Sequence, residues 1–137
     1  YFFGAIDEYL GYDSPAHNGL GEWPKGQFVI KYAKSINFET FQSCILVDDE
    51  DQPLTEPELE MEFFQCEDNA PGFKILGQPF YSDVRDSYPE HTSLLQMEDN
   101  DDLGMRFYDC GTLNIMIKDS DLKFCNWKKI KPFLHSL

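Results

Sequence analysis

Leu59, Met61 and Phe63 alternate with Glu60, Glu62 and Phe64, the period-two pattern of a half-buried strand. Gln27–Tyr32 and Phe41–Val47 are rich enough in β-branched and aromatic residues to predict two more strands. Tyr1–Leu10 mixes aromatics with Asp7 and Glu8 and fits either a terminal strand or a short helix, and residues 11–26 read as loop because Gly and Pro interrupt them. In the second half, a turn at Asn69-Ala70-Pro71-Gly72 precedes an extended piece at Lys74–Leu76, which Gly77 and Pro79 end, and a polar loop follows. Thr92–Met97, Met105–Tyr108 and Thr112–Ile117 then predict an antiparallel meander, with Asp109-Cys110-Gly111 as its last turn and Gly111 supplying a positive φ. Ser120 is placed to cap a short helix carrying Leu122, Phe124 and Trp127, Pro132 to end it, and Phe133–Leu137 to return as a strand. Many strands and little helix predict an α+β fold, mainly antiparallel with few short helices.

Size changes this picture little. A chain of 137 residues sits near the commonest single-domain length, so residues 1–137 are expected to form one domain. Hydrophobic residues at 42%, with twelve Phe and seven Tyr, suffice to offset the entropy of ordering the chain. Charge changes it more. Residues 1–117 hold 23 acidic and 6 basic side chains, net −17, while residues 118–137 hold 2 and 5, net +3. A body this negative repels polyphosphate and anionic lipid at long range, so nucleic acid and membranes are excluded as expected partners and a basic protein is favoured. Lys123, Lys128, Lys129 and Lys131 read as a solvated, neutralising run.

Cys44, Cys66, Cys110 and Cys125 form no C-x-x-C pair, which removes structural zinc from consideration and leaves reduced cysteines in a cytoplasm as the expectation. Cys44 and Cys66 fall in strand-like runs, where thiols are commonly buried. The chain starts at Tyr1 rather than Met, which leaves open a trimmed chain, a proteolytic fragment or the C-terminal part of a longer protein.

Lys74-Ile75-Leu76-Gly77-Gln78-Pro79-Phe80, then Leu94-Leu95-Gln96-Met97 running into Glu98-Asp99-Asn100-Asp101-Asp102, then Asp109-Cys110-Gly111-Thr112-Leu113 and Asp119-Ser120-Asp121-Leu122, recur in one order. This succession, over about residues 74–123, resembles the YwqG-like family of bacterial proteins, whose biochemical role is not settled. The resemblance implies an intracellular bacterial α+β protein and brings no catalytic residues with it. Leu76 stands where that pattern often has Gly, and Phe80-Tyr81-Ser82-Asp83 replaces its usual continuation.

The acidic loop at residues 98–104 invites a cation because hard ions take several converging oxygens. With Asp99 first, Asp101 is third and Gly104 sixth in an EF-hand register, but Leu103 falls fifth and Cys110 twelfth, where a bidentate Glu belongs. A solvated loop is the plainer reading, and Asp99, Asp101 and Asp109 remain the candidate metal ligands. No G-x-S-x-G, H-E-x-x-H, P-loop or G-x-G-x-x-G occurs, so no cofactor is expected, and His17, His91 and His135 lie too far apart in sequence to mark a catalytic set. The aromatics exceed what strand faces must bury, which makes Trp23, Tyr81 and Tyr108 the candidate partner-binding residues. A non-enzymatic interaction module is the reading these features favour. The alternative is a metal-dependent or small-ligand enzyme built on clustered carboxylates.

Overall fold

The computed structural model describes residues 2–4, 21–23, 28–35, 49, 50, 52, 60–108 and 110–136. The chain divides into two compact units, one of Tyr1–Tyr32 with Cys66–Leu137 and one of Ala33–Gln65.

In the first unit the described strands form two antiparallel sheets and confirm an α+β fold. Strands β1 (Phe2–Gly4) and β3 (Phe28–Ile30) make a ribbon. The main sheet runs β2 (Gly21–Glu22), β7 (Lys131–His135), β6 (Thr112–Lys118), β5 (His91–Glu98), β4 (Lys74–Ile75). Helices α1 (Ser82–Ser87) and α2 (Asp119–Lys123) and a 3-10 turn at Trp127–Lys129 complete it.

Central strand β6 is buried from Thr112 to Ile117, because both its faces are covered. Leu113 and Ile115 join Trp23, Phe28, Phe107 and Leu134 in the apolar cluster. The intervening Asn114, also fully buried, points to the other face with Gln96 opposite it and Ser93 nearby. There α1 meets the sheet through Asp83 with His135 and through its C-cap Tyr88 with Phe133, and its Val84 is buried. Pairing of β5 with β6 shifts register between Ser93 and Leu95, and this bulge gives Leu94 no partner on β6.

A buried ammonium holds the approach to this sheet. Lys74, 5% exposed, donates to the carbonyls of Asp68 at 2.8 Å, Ala70 at 3.1 Å and Gln78 at 2.6 Å, which uses all three of its protons. Burial pushes its pKa down, against the raising influence of Cys66 and Asp68. Gln96 acts beside it, accepting from the Phe80 amide at 2.9 Å and donating to the carbonyls of Ala70 at 3.2 Å and Gly72 at 2.9 Å. Glu98 accepts from the Gly72 amide at 2.7 Å. Residues 68–80 are thereby wrapped around β4 and tied to β5. Gly77 belongs to this wrapping, since its φ is 109° and a Cβ there would lie 2.4 Å from the Asp68 carbonyl oxygen.

Several expectations need correction. The segment predicted as a polar loop contains α1, which a single apolar residue, Val84, had hidden. Met105–Tyr108 is no strand: Asn100 and Met105 form an isolated bridge, the Phe107 amide donates to the Asp99 carboxylate, and Tyr108 turns to a φ of 61°. The third strand of the meander is β7. Pro132 lies inside β7 and ends no helix: its carbonyl accepts from the Trp23 amide just past the end of β2, so the pairing on that side continues without a proline N–H. Lys118, not Ser120, occupies the N-cap of α2, without a side-chain cap. Gly111 is required for space, since a Cβ would lie 1.9 Å from the Phe107 carbonyl oxygen, while the positive φ belongs to Tyr108 and Cys110.

In the second unit, described residues 60–65 form no strand, and Met61, Phe63 and Phe64 are all more than 70% exposed, so the alternation there does not mark a half-buried strand. Gln52 donates to the Glu50 carbonyl at 3.3 Å. The strand predicted at Phe41–Val47, with Cys44, lies outside the described residues, as does His17. Cys66, Cys110 and Cys125 are free and exposed, so Cys66 is not the buried thiol its sequence context suggested.

Replacing Lys74 with Met leaves the Gln78 carbonyl without a donor and takes one of two donors from the carbonyls of Asp68 and Ala70, which keep the Gln78 amide and Gln96, and is expected to cost about 2–4 kcal/mol. Urea unfolding of the variant measures this. A loss below about 0.5 kcal/mol would show that the ammonium is not what holds residues 68–80.

Candidate functional site

An open apolar groove of about 230 Å³ is lined by Phe2, Ile30, Lys31, Tyr32, Ile75, Leu76, Leu94 and Trp127. Each wall has a local cause. Phe2 comes from β1, tilted at 6.4 Å against Phe28, which in turn meets Trp23 edge-on at 6.3 Å. Ile30 ends β3, and Lys31 and Tyr32, which follow it outside any strand or helix, carry the wall on until Tyr32 meets Trp127 at 5.7 Å. Ile75 lies on β4, an edge strand of the main sheet, and Leu94 is the bulge residue of β5.

Leu76 is held at a φ of 64°, a left-handed conformation that costs a residue with a Cβ about 1–2 kcal/mol. It is the position at which the resembled pattern often has Gly, the residue that adopts this φ without strain. Trp127 places its indole Nε1 in a buried position with no hydrogen-bond partner among the described residues. Phe2 is 45% exposed, Tyr32 59%, Ile75 58% and Leu76 53%, so large apolar side chains from three separate stretches of chain meet solvent around one depression.

The residues singled out from the sequence are placed elsewhere. Trp23, 4% exposed, is part of the apolar cluster, and the half-buried Tyr108 packs against that cluster. Tyr81 stacks on the His135 ring at 4.3 Å, and its hydroxyl lies 3.4 Å from the Cys110 carbonyl. His135 Nε2 meets Asp83 Oδ2 at 2.7 Å. Burial pushes the Asp83 carboxyl up, but the hydrogen bond and charge of His135 outweigh it and hold it below its ordinary value. This pair does not form a catalytic dyad, because the other ring nitrogen, Nδ1, is buried where no substrate reaches it.

Asp99 and Asp101 serve their own loop. Asp99 accepts from the Phe107 amide at 2.6 Å and Asp101 pairs with Arg106 at 2.9 Å, while Asn100 accepts from the Leu103 amide at 2.8 Å. Asp109 lies outside the described residues. Among the described residues no three His, Cys, Asp or Glu side chains converge as a metal would need, and no helix is long and apolar enough to cross a membrane. Sequence reasoning missed Ile75, Leu76, Ile30, Tyr32 and Leu94 as site residues. The signal within reach was the non-glycine at residue 76, ahead of Gly77.

With this geometry in hand, comparison with known proteins identifies the family. The model of a domain of unknown function, DUF1963, matches residues 10–132, and the chain belongs to that family. No curated protein and no solved structure matches the chain.

The two described acids of the loop differ in what they hold. Asp99→Ala strands a buried backbone amide and is expected to cost about 1–3 kcal/mol, whereas Asp101→Ala removes an exposed ion pair worth about 0–1 kcal/mol. Paired urea titrations compare them, and equal losses would contradict the assignment of Asp99 to the Phe107 amide.

Proposed function

We propose that the chain is a non-enzymatic protein-interaction module that uses the apolar groove as its contact surface. One observation carries the reading: Phe2, Tyr32, Ile75 and Leu76 stay exposed around a single depression. Contiguous apolar surface of this kind marks an interaction site more often than it decorates an inert one. The net charge of −14 supports a basic partner, drawn in by the field of the acidic body, with an apolar side chain of that partner seated in the groove. The resemblance of residues 74–123 supports a YwqG-like protein of a bacterial cytoplasm. The carboxylate-based enzyme is the weaker reading, because Asp99 and Asp101 are already engaged within their own loop.

Two substitutions separate binding from folding. Ile75→Asp puts a charge on an exposed edge position, and Leu76→Gly removes a groove wall while relieving the left-handed strain, so that its net effect on stability stays within about 1 kcal/mol. Cross-linking capture with the purified chain at low salt is expected to recover a partner that both variants lose by about tenfold or more, equivalent to about 1.4 kcal/mol or more. Capture is also expected to weaken near 1 M salt, where the screening length falls to about 3 Å. If both variants, correctly folded, captured the same proteins as the parent chain, the groove would be the wrong surface.

A further inference from the structure

Helix α1 covers the face of the main sheet that holds the least apolar surface. Val84 is its buried residue, and the layer on that face includes the buried Ser93, Gln96, Thr112 and Asn114 together with Met116, which alternation along β6 puts beside them. Lifting α1 therefore hydrates these four polar side chains and two apolar ones, Val84 and Met116. Opening the opposite face would instead hydrate Phe107, Leu113, Ile115 and Leu134, at a far larger hydrophobic cost. An element with few apolar anchors over a polar layer is the kind that opens locally while the rest stays folded.

What holds the C-terminal end of α1 is a corner at residues 88–91. The Tyr88 hydroxyl donates to Glu22 Oε2 at 3.2 Å, Lys131 donates to the same oxygen at 2.9 Å, and the Lys131 ammonium lies 5.5 Å from the centre of the Tyr88 ring. Burial and the Glu22 carboxylate push the Tyr88 phenol up to about 12, so it remains a donor. The His91 ring meets Tyr88 edge-on at 5.3 Å, its amide donates to the Tyr88 carbonyl at 3.1 Å, and its Nδ1 is buried without a partner among the described residues.

Charged groups reach His91 from every neighbouring element. Lys118 of β6 stands opposite it in register, Lys131 comes from β7, Glu22 from β2, Asp119 from α2, and Glu90 precedes it. The carboxylates already have partners: Glu90 pairs with Lys118 at 3.0 Å, Asp119 accepts from the Thr92 hydroxyl at 2.8 Å, and Glu22 holds Tyr88 and Lys131. A second proton on His91 would arrive next to two ammonium groups, on a nitrogen with nothing to receive it.

We propose that the Tyr88–His91 corner is an acid-triggered release for α1: protonation of His91 frees the corner, and α1 lifts from the sheet while β5, β6 and β7 stay paired. The neutral imidazole keeps Tyr88 against Glu22 and Phe133. The imidazolium must reach water, and Tyr88 moves with it.

Burial first, then the charges of Lys131 and Lys118, hold the His91 pKa below its ordinary value. The open corner is therefore the form that binds the proton more tightly. The closed corner keeps its full stability above about pH 6.5 and loses it as the pH falls toward the lowered folded value, with the opening constant rising by up to about tenfold per pH unit. Asp83, at the other end of α1, titrates in a lower range because His135 holds its carboxyl down.

Amide hydrogen exchange of the full chain, corrected for intrinsic rates and followed by NMR between about pH 7.5 and 5.5, tests this. Protection at Arg85 and Tyr88, whose amides donate to the carbonyls of Tyr81 and Val84, is expected to fall by up to about tenfold per unit below about pH 6.5, while Leu113 and Ile115 keep theirs. His91→Gln is expected to remove that pH slope and His135→Gln to leave it in place. The ring titration of His91 in the unmodified chain supplies a second reading, with a midpoint below about 6.5 expected. A midpoint at or above that value, the same slope in His91→Gln, or simultaneous loss of protection in α1 and β6 would each overturn the proposal.

Discussion

The ammonium of Lys74 is the contact on which the described unit turns. Three backbone carbonyls from one wrapped segment converge on it; without it the Gln78 carbonyl would be an unpaired acceptor, and those of Asp68 and Ala70 would keep only the Gln78 amide and Gln96. The side chain thus does what a small metal ion does in other proteins, gathering oxygens from a stretch with little secondary structure of its own. Gln96 and Glu98 complete the arrangement by satisfying amides and carbonyls the ammonium cannot reach. Once residues 68–80 are fixed this way, β4 has a defined register against β5, and Ile75 and Leu76 are presented beside the groove.

The two faces of the main sheet have different chemistry, and that difference organises the rest. Alternation along β6 sends Leu113 and Ile115 to an apolar cluster and Asn114, with Met116, to a mostly polar layer that includes Gln96 and Ser93. The apolar face packs against the ribbon through Phe28, and apolar side chains spill over at its margin as the groove. The polar face is covered by a six-residue helix held mainly at its ends, by Asp83 with His135 and by Tyr88 with Glu22. A proposed contact surface on the first face and a proposed acid-sensitive cover on the second follow from one alternating strand.

Much of the fold was legible because its signals are local. Thr92–Met97 and Thr112–Ile117 announce themselves by β-branched and apolar runs between turns, and the observed β5 and β6 extend those bounds by two residues at most. Phe28–Ile30 and the return strand near Phe133 were legible for the same reason. The candidate site was hardly legible at all. Trp23, chosen as an exposed anchor, is buried, because whether an aromatic faces the core depends on what packs above it. Asp99, chosen as a metal ligand, caps a backbone amide eight residues away, which no spacing rule reveals.

By itself the sequence determined the class of fold, the main antiparallel strands and the charge that sets which partners are electrostatically admissible, since period, propensity and net charge are sums over near neighbours. Only the tertiary structure decided that Lys74 is buried among carbonyls, that Pro132 can sit inside a strand, and that Phe2, Tyr32, Ile75 and Trp127 surround one groove. These outcomes depend on groups brought together from distant parts of the chain, where desolvation and packing outweigh any local preference.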